Sequence, residues 1–173
     1  MKNIFTQSDS KKIMKIQVLF MDVDGTLTDG KIYMGNHGEV MKAFSTKDGQ
    51  GITHLQSNYD VIPVVFTGRK ESKIVKIRCE ELKINDCYQA VPNKVDIIKK
   101  YEGNHPSESF SYIGDDSNDL PAMEYIKSQG GIIACPADAE DSVKAIADFV
   151  CERSGGEGAV RDFINYMIKN DFV

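Results

Sequence analysis

Val18-Leu19-Phe20-Met21-Asp22-Val23-Asp24-Gly25-Thr26-Leu27-Thr28-Asp29-Gly30 is the stretch that decides the fold. This apolar run, rich in β-forming residues, predicts a buried strand over roughly 16–21. The run stops at two carboxylates one residue apart, followed by a glycine. Residues i and i+2 of a strand share a face, but this pair lies where the strand ends and the chain turns. Both acids therefore converge above the sheet edge without sharing a buried wall. Carboxylates this close repel each other unless a cation or a shared proton intervenes, and a hard, oxygen-liganded divalent metal answers that need. An acidic strand-to-turn connection on a solvated loop would read the same from these residues alone, so the rest of the chain has to decide.

Downstream, Lys31-Ile32-Tyr33-Met34 and Glu39-Val40-Met41-Lys42-Ala43-Phe44 flank Gly35-Asn36-His37-Gly38, the pattern of a β-hairpin. Its apolar residues would be a liability on an isolated chain. Ser45-Thr46-Lys47-Asp48-Gly49 leads into a helix predicted over about 50–57. A second buried strand, 61–66, ends at Thr67-Gly68-Arg69-Lys70, and Pro63 places its first half where no ladder donor is needed. The pattern then predicts a helix over 71–82, a short strand at 87–89 and a helix over 94–101 capped by Asn93. A strand over 109–113 ends at Gly114-Asp115-Asp116-Ser117-Asn118-Asp119. After it come a helix over 120–128, a strand over 131–134, a helix over 139–146, a strand over 148–150, the loop Ser154-Gly155-Gly156-Glu157-Gly158 and a closing helix over 159–169.

Strands alternating with helices at this rhythm predict an α/β, doubly wound, Rossmann-like fold with a mainly parallel sheet, helices on both faces and a protruding hairpin. In such sheets ligands bind outside the carboxyl ends of the strands. Three strands end in polar clusters, Asp22/Asp24, Thr67-Gly68 and Asp115/Asp119, and parallel strands put all three on one edge.

A length of 173 residues predicts one domain, over 15–173, with a sizeable core; residues 1–14 are polar, carry lysines, lack the apolar segment of a signal peptide and read as a loose tail. A net charge of −5 disfavours nucleic acid and anionic membranes as partners. No apolar run approaches membrane-spanning length. Cys79, Cys87, Cys135 and Cys151 have no zinc spacing and form no C-x-x-C pair, so free thiols in a reducing, cytoplasmic compartment are expected.

Asp22-Val23-Asp24-Gly25-Thr26 resembles the first motif of the haloacid dehalogenase (HAD) superfamily of phosphohydrolases. Thr67 is similar to its second motif, Lys94 to its third and Gly114-Asp115-Asp116-Ser117-Asn118-Asp119 to its fourth, in the right order and spacing. The resemblance implies Asp22 as a nucleophile that forms an aspartyl-phosphate and Asp24 as general acid and base. It implies Mg²⁺ on the Asp22 side chain, the Asp24 backbone carbonyl and Asp115, with Asp119 and Asp116 in support. Thr67 and the neighbouring backbone N–H would hold phosphoryl oxygens, and Lys94 would neutralise charge on nucleophile and phosphoryl group.

About 42 residues separate Asp24 from Thr67, and about 26 separate Thr67 from Lys94. The predicted elements use them up, leaving no room for a cap domain, and an uncapped site admits water. Three stretches resemble the capless branch of 3-deoxy-D-manno-octulosonate 8-phosphate phosphatases: Thr28 to Gly35 with Lys42-Ala43-Phe44, Lys47 to Ile52, and Gly155 to Arg161. That resemblance implies a homotetramer in which hairpins associate and a neighbouring subunit helps close each site. It implies a sugar acid phosphate as substrate, met by Thr67, Gly68, Arg69, Arg78, Lys47 and Asp48. Arg69 or Arg78 would pair with the sugar-acid carboxylate, since guanidinium binds carboxylate bidentately.

Two departures bear on the substrate. Gly156-Glu157-Gly158 stands where octulosonate enzymes typically have an arginine, and a glutamate there resembles relatives acting on sialic-acid-type nononate 9-phosphates. Arg69, conversely, is of the octulosonate type, and the spacing after it runs one residue long. A different class stays open, a non-catalytic oligomerisation module such as the domain appended to some cytidylyltransferases. A dehalogenase would not need this acid set, and a phosphomutase usually keeps a cap.

Overall fold

The computed structural model describes residues 15–70 and 72–173, so the tail expected over 1–14 lies outside the described residues. In chain order the strands are β1 (Val18–Met21), β2 (Tyr33–Gly35), β3 (Gly38–Met41), β4 (Ile62–Phe66), β5 (Asp86–Tyr88), β6 (Phe110–Ile113), β7 (Ile132–Cys135) and β8 (Phe149–Val150). The helices are α1 (Thr46–Tyr59), α2 (Lys73–Glu81), α3 (Lys94–Lys99), α4 (Leu120–Ser128), α5 (Asp141–Lys144) and α6 (Ala159–Lys169). Six strands form one sheet in the order β5-β4-β1-β6-β7-β8, with every pairing parallel, and β2-β3 is a separate antiparallel hairpin.

β1 is central, and its alternation sorts the two cores. Leu19 and Met21 pack on one face with Ile52 and Leu55 of α1, Val75 and Cys79 of α2, and Val160, Phe163, Ile164 and Met167 of α6. Val18 and Phe20 pack on the other face with Ile98 of α3, Met123 and Ile126 of α4, and Val143 of α5. A strand buried on both faces is what the unbroken apolar run requires. Among the described residues the hairpin and α1 occupy the chain between β1 and β4, and no domain is inserted there.

Pro63 sits as its chemistry demands. The Ile62 N–H reaches back to Gln17 O of the β1 side at 2.8 Å, so the Pro63 nitrogen faces the other edge, where β5 starts only opposite Val64. α1 begins four residues earlier than the pattern predicts, because Ser45 accepts the Lys47 N–H at 3.2 Å and caps it. Gly51 lies inside α1, where a Cβ would come within 2.9 Å of Arg161 Cδ and 3.2 Å of Ile164 Cδ1 of α6. The glycine serves close helix packing. α5 is shorter than expected, holding only one turn between Glu140 and Ala145.

Candidate active site

The first motif leaves β1 by a turn that only glycine completes. Gly25 has φ +97°, and a Cβ there would strike the Asp115 carboxylate. The Asp22 N–H still pairs with Ile113 O at 3.1 Å, so the nucleophile candidate sits on the last rung between β1 and β6. The ends of β1, β4 and β6 bring Asp22, Asp24, Thr67, Asp115 and Asp119 to one edge of the sheet, as parallel strands require.

Lys94, the first residue of α3, is buried and donates to Asp22 Oδ1 and Asp119 Oδ1, both at 2.5 Å. Asn93 caps α3 through the Val95 N–H at 3.1 Å, which fixes the helix start and thus the root of Lys94. Burial works against the ammonium, yet the two carboxylates outweigh it and raise the Lys94 pKa, keeping it charged. Asp119 is fully spent. Its Oδ1 takes Lys94 and the Tyr112 hydroxyl at 2.5 Å, and its Oδ2 takes the N–H groups of Asp115 at 2.9 Å and Asp116 at 3.3 Å. Asp22 Oδ2 accepts no hydrogen bond among the described residues, so one oxygen is held and the other is free.

Asp24 is held from three elements. Thr67 Oγ1 at the end of β4 donates to its Oδ2 at 3.2 Å while accepting the Arg69 N–H at 3.1 Å. Lys42, just past β3, pairs with Asp24 Oδ1 and with Glu39 Oε1 at 2.9 Å. Arg69 lies 3.8 Å from both Asp24 and Glu39. These residues, with Lys70, Lys73 and Gln89, line an open cleft of about 470 Å³. Gly68, Asn93, Lys94 and Asn118 line a separate hollow of about 340 Å³.

Other expected substrate residues stand apart. Arg78 spans from α2 to Ser45 O at 3.3 Å, pairs with Glu81 at 2.7 Å and lies over the Phe44 ring, with no contact to the acid cluster among the described residues. Asp48 is buried against α6, where its Oδ1 accepts the Arg161 N–H at 2.8 Å and its Oδ2 has no partner among the described residues. Lys47 and Asp116 are exposed, and Asp116 otherwise accepts the Ser117 N–H. Arg78, Lys47 and Asp48 therefore do not line the cleft that holds Asp24, Thr67 and Arg69. The loop after β8 meets its own chain: the Gly156 N–H donates to Thr26 O at 3.1 Å, and Glu157 is exposed.

Four partners escaped the sequence reading. Thr26 donates to Asp115 Oδ1 at 2.9 Å, Tyr112 braces Asp119, and Lys42 with Glu39 braces Asp24. Thr26 stands inside the first motif, and Glu39 and Lys42 lie in one hairpin arm whose sequence shows no link to Asp24.

The donor set fits a small divalent cation. One carboxylate oxygen each of Asp22, Asp115 and Asp119 lies within 4.8 Å of the others. Burial, and then the like charge of Asp119, push the Asp22 carboxyl well above the ordinary range and Asp115 up to about 7. Hard oxygens carrying more negative charge than one lysine offsets are what a hard cation requires. Because Asp119 has no lone pair to spare, Asp22 and Asp115 would be the side-chain ligands, with Asp119 supporting them from outside.

No family model matches the chain. It is 39% identical over 161 residues to the 3-deoxy-D-manno-octulosonate 8-phosphate phosphatase KdsC of Escherichia coli strain K12, covering 91% of this chain and 81% of that one. Among solved structures, the cobalt-bound deoxy-D-mannose-octulosonate 8-phosphate phosphatase of Haemophilus influenzae aligns with a TM-score of 0.80 and 34% identity, over 90% of this chain and 88% of that one. The 3-deoxy-D-manno-octulosonate 8-phosphate phosphatase of Moraxella catarrhalis, solved with magnesium, phosphate and KDO, aligns with a TM-score of 0.80 and 31% identity, over 91% and 89%.

Proposed function

The chain belongs to the 3-deoxy-D-manno-octulosonate 8-phosphate phosphatase family, a capless branch of the HAD superfamily, and from that premise we propose that it hydrolyses the phosphate monoester of 3-deoxy-D-manno-octulosonate 8-phosphate with magnesium. One observation carries the reading: Asp22 is gripped through one oxygen by buried Lys94 while its other oxygen accepts no hydrogen bond among the described residues, beside Asp115 and within the turn that holds Asp24. A carboxylate so placed is a nucleophile in waiting, not a structural cap.

Held by Asp22, Asp115 and the Asp24 backbone carbonyl, magnesium would supply positive charge that lets a carboxylate approach a phosphate dianion. The steps themselves belong to the chain's residues. The free Asp22 oxygen attacks phosphorus, the P–O bond to the sugar breaks, and Asp24 gives its proton to the departing alkoxide. Water then attacks the aspartyl-phosphate, Asp24 takes its proton, and Asp22 is regenerated as phosphate leaves. Lys94 stabilises charge on Asp22 and the phosphoryl oxygens, while Thr67 and the Gly68 N–H orient the latter.

Arg69, half-exposed on the cleft rim with Lys70 and Lys73 nearby, supports recognition of the sugar-acid carboxylate. The nononate 9-phosphate reading rests on Glu157, which is exposed and whose N–H donates to Ser154 O at 3.1 Å, with no side-chain hydrogen bond among the described residues. A non-catalytic module is disfavoured, since it has no need to keep Asp22, Lys94 and Asp119 in one buried array. The exposed hairpin and the open cleft support a tetramer in which a neighbour covers the site, and four free thiols support a reducing, cytoplasmic setting. The test is phosphate release from the octulosonate 8-phosphate and a nononate 9-phosphate side by side, with and without chelator. Higher kcat/KM on the eight-carbon ester and loss with chelator are expected; undiminished turnover in chelator, or a preference for the nine-carbon ester, overturns the proposal.

A further inference from the structure

The hairpin does more than protrude. Among the described residues, four charged side chains close a ring at the mouth of the cleft: Asp24 to Lys42, Lys42 to Glu39, Glu39 to Arg69 and Arg69 back to Asp24. With both acids ionised the charges alternate in sign and sum to zero, and when Asp24 carries the proton for the acid step Lys42 stays paired through Glu39. The two ends are not alike. Lys42 has only 2% of its side chain exposed and touches both acids closely, whereas Arg69 is 41% exposed and stands 3.8 Å from each. Lys42 is therefore a fixed member of the ring and Arg69 a loose one, free to turn toward a ligand.

We propose that Lys42, held by Glu39 on the hairpin, is a positioning residue that fixes Asp24 through Oδ1 so that Oδ2 is the oxygen carrying the proton to and from the reacting ester. This rests on the phosphatase reading above and deepens it. A carboxyl group free to rotate would present either oxygen, and misplacement by an ångström costs a large share of a positioned group's rate. Thr67 cannot fix the group alone. Its hydroxyl has one proton to donate, now directed at Asp24 Oδ2, and the same proton is needed for the phosphoryl group. Lys42 supplies the second hold, and Glu39 neutralises it so that no unpaired cation is buried.

The experiment compares kcat/KM for an alkyl ester, the sugar-acid phosphate, with that for p-nitrophenyl phosphate, whose leaving group departs without a proton. General acid catalysis contributes on the order of 10²–10⁴-fold, so Lys42→Met should lower kcat/KM on the alkyl ester by about tenfold or more and on the aryl ester far less. KM should change little, and Lys42→Arg should recover part of the loss. In an Asp24→Asn background Lys42→Met should add nothing, because a residue acting through Asp24 has no effect once its carboxyl is gone. Equal losses on both esters, multiplicative losses in the double variant, or a rise in KM alone would overturn the inference while leaving the phosphatase reading intact. A wild-type chain inactive on both esters would overturn that reading and this one with it. Should Lys42→Met fail to fold by circular dichroism, Glu39→Gln carries the same comparison. It should give a smaller loss confined to the alkyl ester, and an equal or absent effect counts against the inference.

Discussion

Lys94 shows how much one side chain decides at this site. It lies between Asp22 and Asp119, and removing its charge leaves two buried carboxylates facing each other. Breaking a buried pair costs about 3–5 kcal/mol. Lys94→Met should therefore lower the urea midpoint markedly and reduce kcat/KM by about 10²-fold or more, as loss of an electrostatic stabiliser does. A variant with normal stability and activity would show that the pair is incidental. Asp22→Asn should abolish turnover while keeping the fold, since the amide still accepts from Lys94; residual activity near wild type would rule out Asp22 as nucleophile. Asp22 was conspicuous in the sequence as an acid at a strand end, whereas Lys94 stood out only through its resemblance to the third motif, since a lysine at a helix start is ordinarily solvated. Tyr112 did not stand out. It sits in an apolar strand and reads as core, and its hydroxyl finds Asp119 only because the chain turns back after β6. Lys42 was hidden for the same reason: its partner Asp24 lies eighteen residues away across the hairpin.

At the scale of elements, the hairpin was legible from its turn and its alternation, and Ile32, Met34, Val40 and Met41 are each more than half exposed on it. Burying such side chains is worth about 1.5–3 kcal/mol apiece. If hairpins associate between copies, Met34→Lys with Val40→Lys should convert the assembly to smaller species by light scattering; an unchanged mass would place the interface elsewhere. The bounds of α6 were legible, falling at Ala159–Lys169 as the pattern predicts, but its cap was not. Gly158 offers no side chain to cap that helix, and Asp48 of α1 does so by accepting the Arg161 N–H. A motif reading assigned Asp48 to substrate, whereas packing of α1 on α6 makes it a cap supplied from another element. Burial pushes this carboxyl up to about 6. A raised acid binds more protons folded than unfolded, so its cost is absent below the unfolded value, grows between about pH 4 and 6, and reaches roughly 3 kcal/mol above that. Asp48→Asn keeps the acceptor and removes the ionisation. Urea midpoints should then fall less steeply from pH 4 to 6 than in the wild type, and an unchanged slope would mean Asp48 is not ionised at that cost.

At the scale of the whole molecule, a bound metal would be coupled to folding through the acids it neutralises. Parallel strands cost the protein a concentration of acids at one edge, and topology alone made that edge legible before any side chain was placed. Spacing could not give the assignment of roles within it, because Asp115 and Asp119 are equivalent in sequence and differ only in what surrounds them. Asp22 is raised by burial, and Asp115 is pushed up to about 7 by burial and then by Asp119. For both, the folded state holds protons that the unfolded state releases from about pH 4 upward, so without metal their contribution to stability declines as pH rises through that window. A cation competes with those protons and is bound most strongly once they have left, and ligand binding stabilises only the folded state. Magnesium should therefore raise the melting temperature more at pH 8 than at pH 5.5 and flatten the alkaline decline, and Asp115→Asn should shrink both effects. Calorimetric scans at the two pH values, with magnesium and with chelator, decide the matter. A magnesium shift that is the same at both, or that survives Asp115→Asn undiminished, would place the cation away from the three carboxylates.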